Sequence, residues 1–266
     1  MVRLHDARRL SGKRVSDKND SPARIFPKIR LAAIPASPYS FQAMGAFKEP
    51  HGGQLKELYL GESLAEEEKE AARELASWDM TQRQLCDIEL ILNGAFSPLE
   101  GFLTRGDYRR VLEEMRLESG FLWPIPVTLD VTEAFADSVS TGDSIALRDR
   151  EGVIIATMEV AEIWKPDKEA EANRVYGTDL EDHPGVDYLY HHAHEVYIGG
   201  KLRGLEPPTH YDFKLLRDSP SELRGRFRKL GWRKVVAFQT RNPMHRAHQE
   251  LTLRAAYEQE ANLLIH

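Results

Sequence analysis

Residues 234 to 257 constrain this chain more than any other stretch. Lys234-Val-Val-Ala-Phe238 is a short apolar run with adjacent valines, the composition of a strand buried on both faces. Further on, Ala247, Leu251 and Ala255 recur at steps of four, which marks one side of a helix. Between them lies Gln239-Thr-Arg-Asn-Pro-Met-His-Arg-Ala-His248, a polar turn. Asn242 before Pro243 predicts an N-cap followed by the first helical residue. A strand, a turn and a helix in this order aim the helix N-terminus at whatever sits above the strand. That terminus carries unpaired N–H groups and a partial positive charge, and so attracts anions.

The turn collects further anion-handling groups. Arg241 is a planar fork that suits a phosphate or sulfate. His245 and His248 stand three apart, on one helix face beside the same opening. Gln239 and Thr240 can donate or accept hydrogen bonds. The plainer alternative from spacing alone is a βα unit with a polar loop and two surface histidines.

Gln239-Thr-Arg-Asn-Pro-x-His-x-x-His248 resembles the nucleotide-binding signature of the ATP sulfurylase (sulfate adenylyltransferase) family. Its His-x-x-His is similar to that of a wider group of nucleotidyltransferases, class I aminoacyl-tRNA synthetases included. Asn93-Gly-Ala-Phe-Ser-Pro-Leu-Glu-Gly-Phe102, Trp123-Pro-Ile-Pro-Val-Thr-Leu129 and His210-Tyr-Asp-Phe213 resemble segments of the family's N-terminal domain. The likeness runs from about Pro50 to the last residue, and is to bacterial members, found alone or fused to an adenylylsulfate kinase. It implies an α+β chain: an N-terminal PUA-like β-barrel domain, then the start of an α/β, Rossmann-like (HUP-type) nucleotidyltransferase domain. It implies the reaction of ATP and sulfate to adenosine 5′-phosphosulfate and pyrophosphate, with Mg2+ on the ATP. By the same resemblance, Gln239 and Arg241 hold sulfate. Thr240, Arg241 and Asn242 are active-site positions, and His245 and His248 contact the phosphates. No residue is implied as a metal ligand. A homo-oligomer and a downstream kinase domain stay open as partners.

Composition frames these readings. The 266 residues allow one large or two modest domains. At 41% hydrophobic and 29% charged they are ordinary for a soluble protein. A net charge of −6 argues against a general nucleic-acid binder. No apolar run approaches the roughly 20 residues of a membrane span. Cys86 is the single cysteine, which excludes an intramolecular disulfide and a cysteine-built zinc site. A cytoplasmic setting fits, with neither nucleic acid nor membrane as partner.

Three segments follow. Residues 1–44 hold nine Lys or Arg against three Asp, with scattered Pro and Ser, and read as a basic, disordered extension. An organellar transit peptide is the alternative, against which the aspartates count. Residues 45–214 are the expected PUA-like domain and 215–266 an incomplete nucleotidyltransferase domain. The chain stops at Leu263-Leu-Ile-His266, inside the expected second strand of a fold that needs several βα units. It is therefore expected to be a C-terminally truncated sulfurylase with little activity by itself and an under-packed 232–266 segment. Another His-x-x-His nucleotidyltransferase, or a non-catalytic PUA-like binding module, remain as alternatives.

Within 45–214, Ser63-Leu-Ala-Glu66 and Thr81-Gln-Arg-Gln84 read as capping boxes. The first opens a charged, solvated helix. The second opens one with Leu85, Ile88 and Leu92 on its apolar face, Cys86 in its packing and Gly94 at its end. Thr104 caps a third helix, with Tyr108, Val111, Leu112 and Met115 inward. Strands are expected over Ile125–Val131, with alternating inward residues, and in two hairpins. One turns at Asp149–Gly152 and the other at Gly199-Gly200. These strands predict a small barrel, with a helix inserted over Asp167–Tyr176. Ser219-Pro-Ser-Glu222 opens a helix that Gly231 ends, with Leu223, Phe227 and Leu230 inward and a basic solvated face. His183, His191, His192 and His194 match no common zinc spacing.

Overall fold

The computed structural model describes residues 48–266. The extension expected over 1–44 lies outside the described residues. Those described form two compact units, 48–231 and 232–266. The first runs α1 (Glu62–Ala71), β1 (Ser77–Asp79), α2 (Gln82–Leu92), β2 (Gly101–Phe102), α3 (Arg105–Glu114), β3 (Leu129–Val131), α4 (Glu133–Ala136), β4 (Ser144–Arg148), β5 (Ile154–Trp164), α5 (Lys168–Tyr176), α6 (Pro184–His191), β6 (Val196–Gly204) and α7 (Pro220–Lys229). The second is β7 (Val235–Phe238), α8 (Arg246–Glu258) and β8 (Asn262–Ile265). Among the described residues no helix is long and apolar enough to cross a membrane.

A six-stranded sheet organises the first unit, in the order β1-β4-β5-β6-β2, with β3 also paired to β6. β1 runs parallel to β4, and the other pairs are antiparallel. Ile145, Leu147, Met158 and Ile198 of the sheet are buried against Ile88, Ile91 and Leu92 of α2 and Val111 of α3. The Thr81–Gln84 capping box and the Thr104 cap form as expected and set where α2 and α3 begin. The first half of β5 is buried on both faces because a second small cluster, Ala72, Ala146, Ile154 and Leu205, packs on its other side.

Several expectations change in the fold. Gly199-Gly200 is no turn but the middle of one continuous strand, β6. A Cβ on Gly199 would lie 2.3 Å from the Leu103 carbonyl oxygen, and one on Gly200 2.0 Å from that of Glu159. The glycines serve close backbone approach. The alternation expected over Ile125–Val131 fails: Ile125 is exposed, while Val127 to Val131 are all buried, and only Leu129–Val131 pair as a strand. Gly61, rather than Ser63, caps α1. That helix is less solvated than its charge implies. Glu68 accepts a hydrogen bond from Thr157 at 2.9 Å and pairs with Arg203 at 3.1 Å, and Lys69 pairs with Glu206. Cys86, Met115 and Leu230 are exposed, each on the outer side of its helix or at its end.

α6 went unread in the sequence, although His183 before Pro184 is a cap-and-proline start. The His183 Nδ1 accepts from the Gly185 amide at 3.1 Å. His191 lies 3.2 Å from Glu181, and the His194 ring meets Trp78 edge-on at 5.3 Å. His192 lies 3.8 Å from Asp187, so each of the four histidines has a local partner.

Two buried carboxyl groups tie the helices to the sheet. Asp130, in β3 and fully buried, accepts hydrogen bonds from Arg83, from Gln84 Nε2 at 2.9 Å and from the His194 amide at 2.9 Å. Arg83 also reaches Asp87 at 2.6 Å and the Tyr188 hydroxyl at 3.2 Å. Glu171 of α5 accepts from the hydroxyls of Tyr108 at 2.8 Å and Tyr197 at 3.1 Å, so one carboxyl joins α3, α5 and β6.

The backbone crossing at Gly101 leaves no room for a side chain, since a Cβ there would lie 1.8 Å from the Gly200 carbonyl oxygen. Gly101→Ala is expected to destabilise the unit by more than about 2 kcal/mol in urea unfolding; a loss under about 0.5 kcal/mol would contradict the crossing. Burial holds the Glu171 carboxyl above its ordinary range, against the lowering effect of its two hydroxyl donors. A folded value above the unfolded one means the native state takes the proton more readily. The resulting stability is full below the unfolded value, about 4.3, and is lost as pH rises through the raised value. Glu171→Gln is expected to flatten that fall. A mutant whose stability declines in parallel with the parent from about pH 4.3 upward would refute it.

Candidate functional site

β7 and β8 pair in parallel, Val235 with Asn262 through Phe238 with Ile265, and α8 makes the crossover. The adjacent valines do form a strand. It is half-buried rather than covered on both faces, because within this unit a single helix packs on the pair. The ladder continues past the strand end, with the His266 amide donating to Phe238 O at 3.0 Å and the Thr240 amide to His266 O at 2.9 Å. Pairing thus carries the chain to Thr240, where the turn begins.

The Thr240 hydroxyl shapes that turn. It accepts from the Asn242 amide at 3.1 Å and donates to the Asn242 carbonyl at 2.9 Å. With both backbone groups of Asn242 engaged, this residue closes the turn and does not cap the helix. The expected Asn242–Pro243 start is therefore displaced. Pro243 and Met244 continue outside the helix, and His245 is the N-cap, with extended backbone (φ −82°, ψ 161°). The His245 amide donates to His248 Nδ1 at 3.4 Å, a histidine version of the capping box. The helix is also rotated from the expected Ala247–Leu251–Ala255 stripe. Thr252 is its buried residue, His248, Ala255 and Ala256 are half-buried, and Leu251 is exposed.

The two histidines do come together, with ring centroids 5.5 Å apart and edge-on. His248 rests on Phe238 at 5.6 Å, so the strand end backs one ring while His245 faces solvent. Gln239, Arg241 and Asn242 are exposed, and Thr240 is half-buried. Arg241 makes no ion pair with any described residue. No acidic residue sits in the first turn of the 13-residue α8. Its N-terminal partial charge is thus unopposed by its own side chains. Arg246, passed over in the sequence, stands exposed between the two histidines; its place inside the His-x-x-His was the available signal. Guanidinium, imidazole and amide donors at a helix start suit oxyanions. Among the described residues, no group of three or more His, Cys, Asp or Glu could hold a metal ion.

Comparison with known proteins places these features. Residues 48–207 match the family model described as a PUA-like domain, and residues 214–266 match that described as ATP-sulfurylase. A sulfate adenylyltransferase of Gibberella zeae is 53% identical over 220 residues, covering 81% of this chain and 38% of that protein. Those of Eremothecium gossypii and Saccharomyces cerevisiae are 50% and 48% identical, each over 82% of this chain and 43% of the relative. Among solved structures, a hexameric APS kinase from Thiobacillus denitrificans matches with a TM-score of 0.68 at 35% identity, over 82% of this chain and 39% of that one. The chain thus spans 38% to 43% of the length of these curated relatives.

If the Thr240 hydroxyl holds the turn, Thr240→Val should loosen it by about 1 kcal/mol, roughly fivefold faster exchange of the Asn242 amide. Hydrogen exchange reads this directly, and an unchanged Asn242 rate would show that the hydroxyl is dispensable.

Proposed function

Because this chain belongs to the ATP sulfurylase family, with the family's PUA-like domain ahead of the first strand, turn and helix of its sulfurylase region, we propose that the Gln239–His248 turn grips sulfate and the phosphates of ATP for adenylyl transfer. The observation that carries this reading is Arg241, an exposed guanidinium with no carboxylate partner among the described residues, set between a strand end and a helix N-terminus.

Sulfate arrives ionised and needs no base. What it needs is charge neutralisation and alignment with the α-phosphorus. A sulfate oxygen forms the new bond to that phosphorus as the bond to the bridging oxygen breaks, and pyrophosphate leaves in line. Gln239 and Arg241 hold the sulfate. The Thr240 hydroxyl, engaged with both backbone groups of Asn242, holds the turn on which the exposed Arg241 stands. His245 and His248 lie against the phosphates and stabilise charge on the transferring group and the departing pyrophosphate. The donors of the turn suit anions and include no carboxylate, so these residues would meet Mg2+ through the ATP phosphates, whose charge it would neutralise when bound. A homo-oligomer belongs to the same proposal, supported by the hexameric relative.

The test is sulfate-dependent pyrophosphate release by a protein carrying the whole sulfurylase region. Arg241→Ala is expected to lower kcat/KM by on the order of 3 kcal/mol, over a hundredfold, the size of losing one oxyanion donor. A change below about tenfold, or release that needs no sulfate, would sink the assignment.

A further inference from the structure

The 48–231 unit holds a hollow of about 470 Å³, within the range of small-molecule sites, and none of Gln239–His248 lines it. Its polar lining is unbalanced: Asp87, Asp130 and Glu171 share it with one cation, Arg83. That guanidinium is already engaged, by Asp130, by Asp87 and, through Nε, by the Tyr188 hydroxyl. Glu171, only 8% exposed, has no ion pair among the described residues. Its Oε2 takes both tyrosine hydroxyls, while Arg83 and Lys168 act on it through space alone. The Lys168 ammonium instead donates to Ala193 O at 2.8 Å.

The apolar walls include Trp123, Tyr176 and Tyr188. Arg83 itself stands 5.8 Å over the Tyr188 ring, so one of these faces already accepts a cation. Aromatic faces and an excess of carboxyl groups around a sheltered space select positive charge with an apolar body. They repel sulfate and nucleotides, which find three carboxyl groups there. We propose that this cavity binds a small organic cation, an ammonium compound whose apolar part rests on Trp123 and Tyr176 and whose charge lies toward Glu171 and Asp87.

The probe is choline, set against its uncharged isostere 3,3-dimethylbutan-1-ol, in calorimetric titration of the full chain. Choline is expected to bind saturably and at least about tenfold more tightly than the isostere. Glu171→Gln keeps an acceptor for both tyrosine hydroxyls. It should weaken choline about fivefold or more and leave the isostere unchanged. Tyr176→Leu, at a position 37% exposed, provides a second variant that should weaken choline selectively. Equal binding of the two probes, no saturation with choline by about 50 mM, or a choline-to-isostere ratio unmoved in both variants would each overturn the site.

Discussion

One buried carboxylate, Asp130, sets how the first unit holds together. It sits in β3 with no exposure and takes donors from two positions on α2 and from the amide that leads into β6. An unpaired charge at such depth costs several kcal/mol, so the arrangement is kept whole or lost whole. That requirement fixes α2 against the sheet and brings α6 alongside through Arg83 and Tyr188. It also explains why the residues from Val127 to Val131 are buried without alternation: a polar side chain faces inward because its partners are there.

β6 is the second constraint. It pairs with β2, β3 and β5, and it can do so only because Gly199 and Gly200 let neighbouring backbone within Cβ distance. Close approach closes the core of the PUA-like unit. The polar lining of its cavity follows from the same architecture, since helices that meet the sheet through Arg83, Asp87, Asp130 and Glu171 leave those groups around a shared hollow.

The 232–266 unit obeys a different balance. Two strands and one helix leave β7 half-buried and Leu251, Leu253 and Tyr257 exposed. Its order comes from the parallel ladder up to Thr240, from the Thr240 hydroxyl and from the His245–His248 cap. These local devices use backbone groups, one hydroxyl and the His248 ring nitrogen, while Gln239, Arg241 and His245 are exposed. A turn whose backbone is hydrogen-bonded in this way presents an exposed guanidinium at a helix start, an arrangement that suits anions.

Local chemistry was legible in the sequence because it acts over a few residues. The Thr81–Gln84 box, the Thr104 and Ser219 caps and the Asp149–Gly152 hairpin all rest on neighbours within about four positions. What depended on distant partners was not legible. Gly199-Gly200 has the composition of a turn and becomes a strand because Leu103 and Glu159 approach it from elsewhere in the chain. Asn242 has the composition of a cap and closes a turn instead, because the ladder to His266 delivers Thr240 to it. The sequence by itself determined which residues carry charge and which segments are ordered by their neighbours. The tertiary structure decided which backbones touch and which side chains remain exposed, since those outcomes turn on burial and steric contact between segments far apart in the chain.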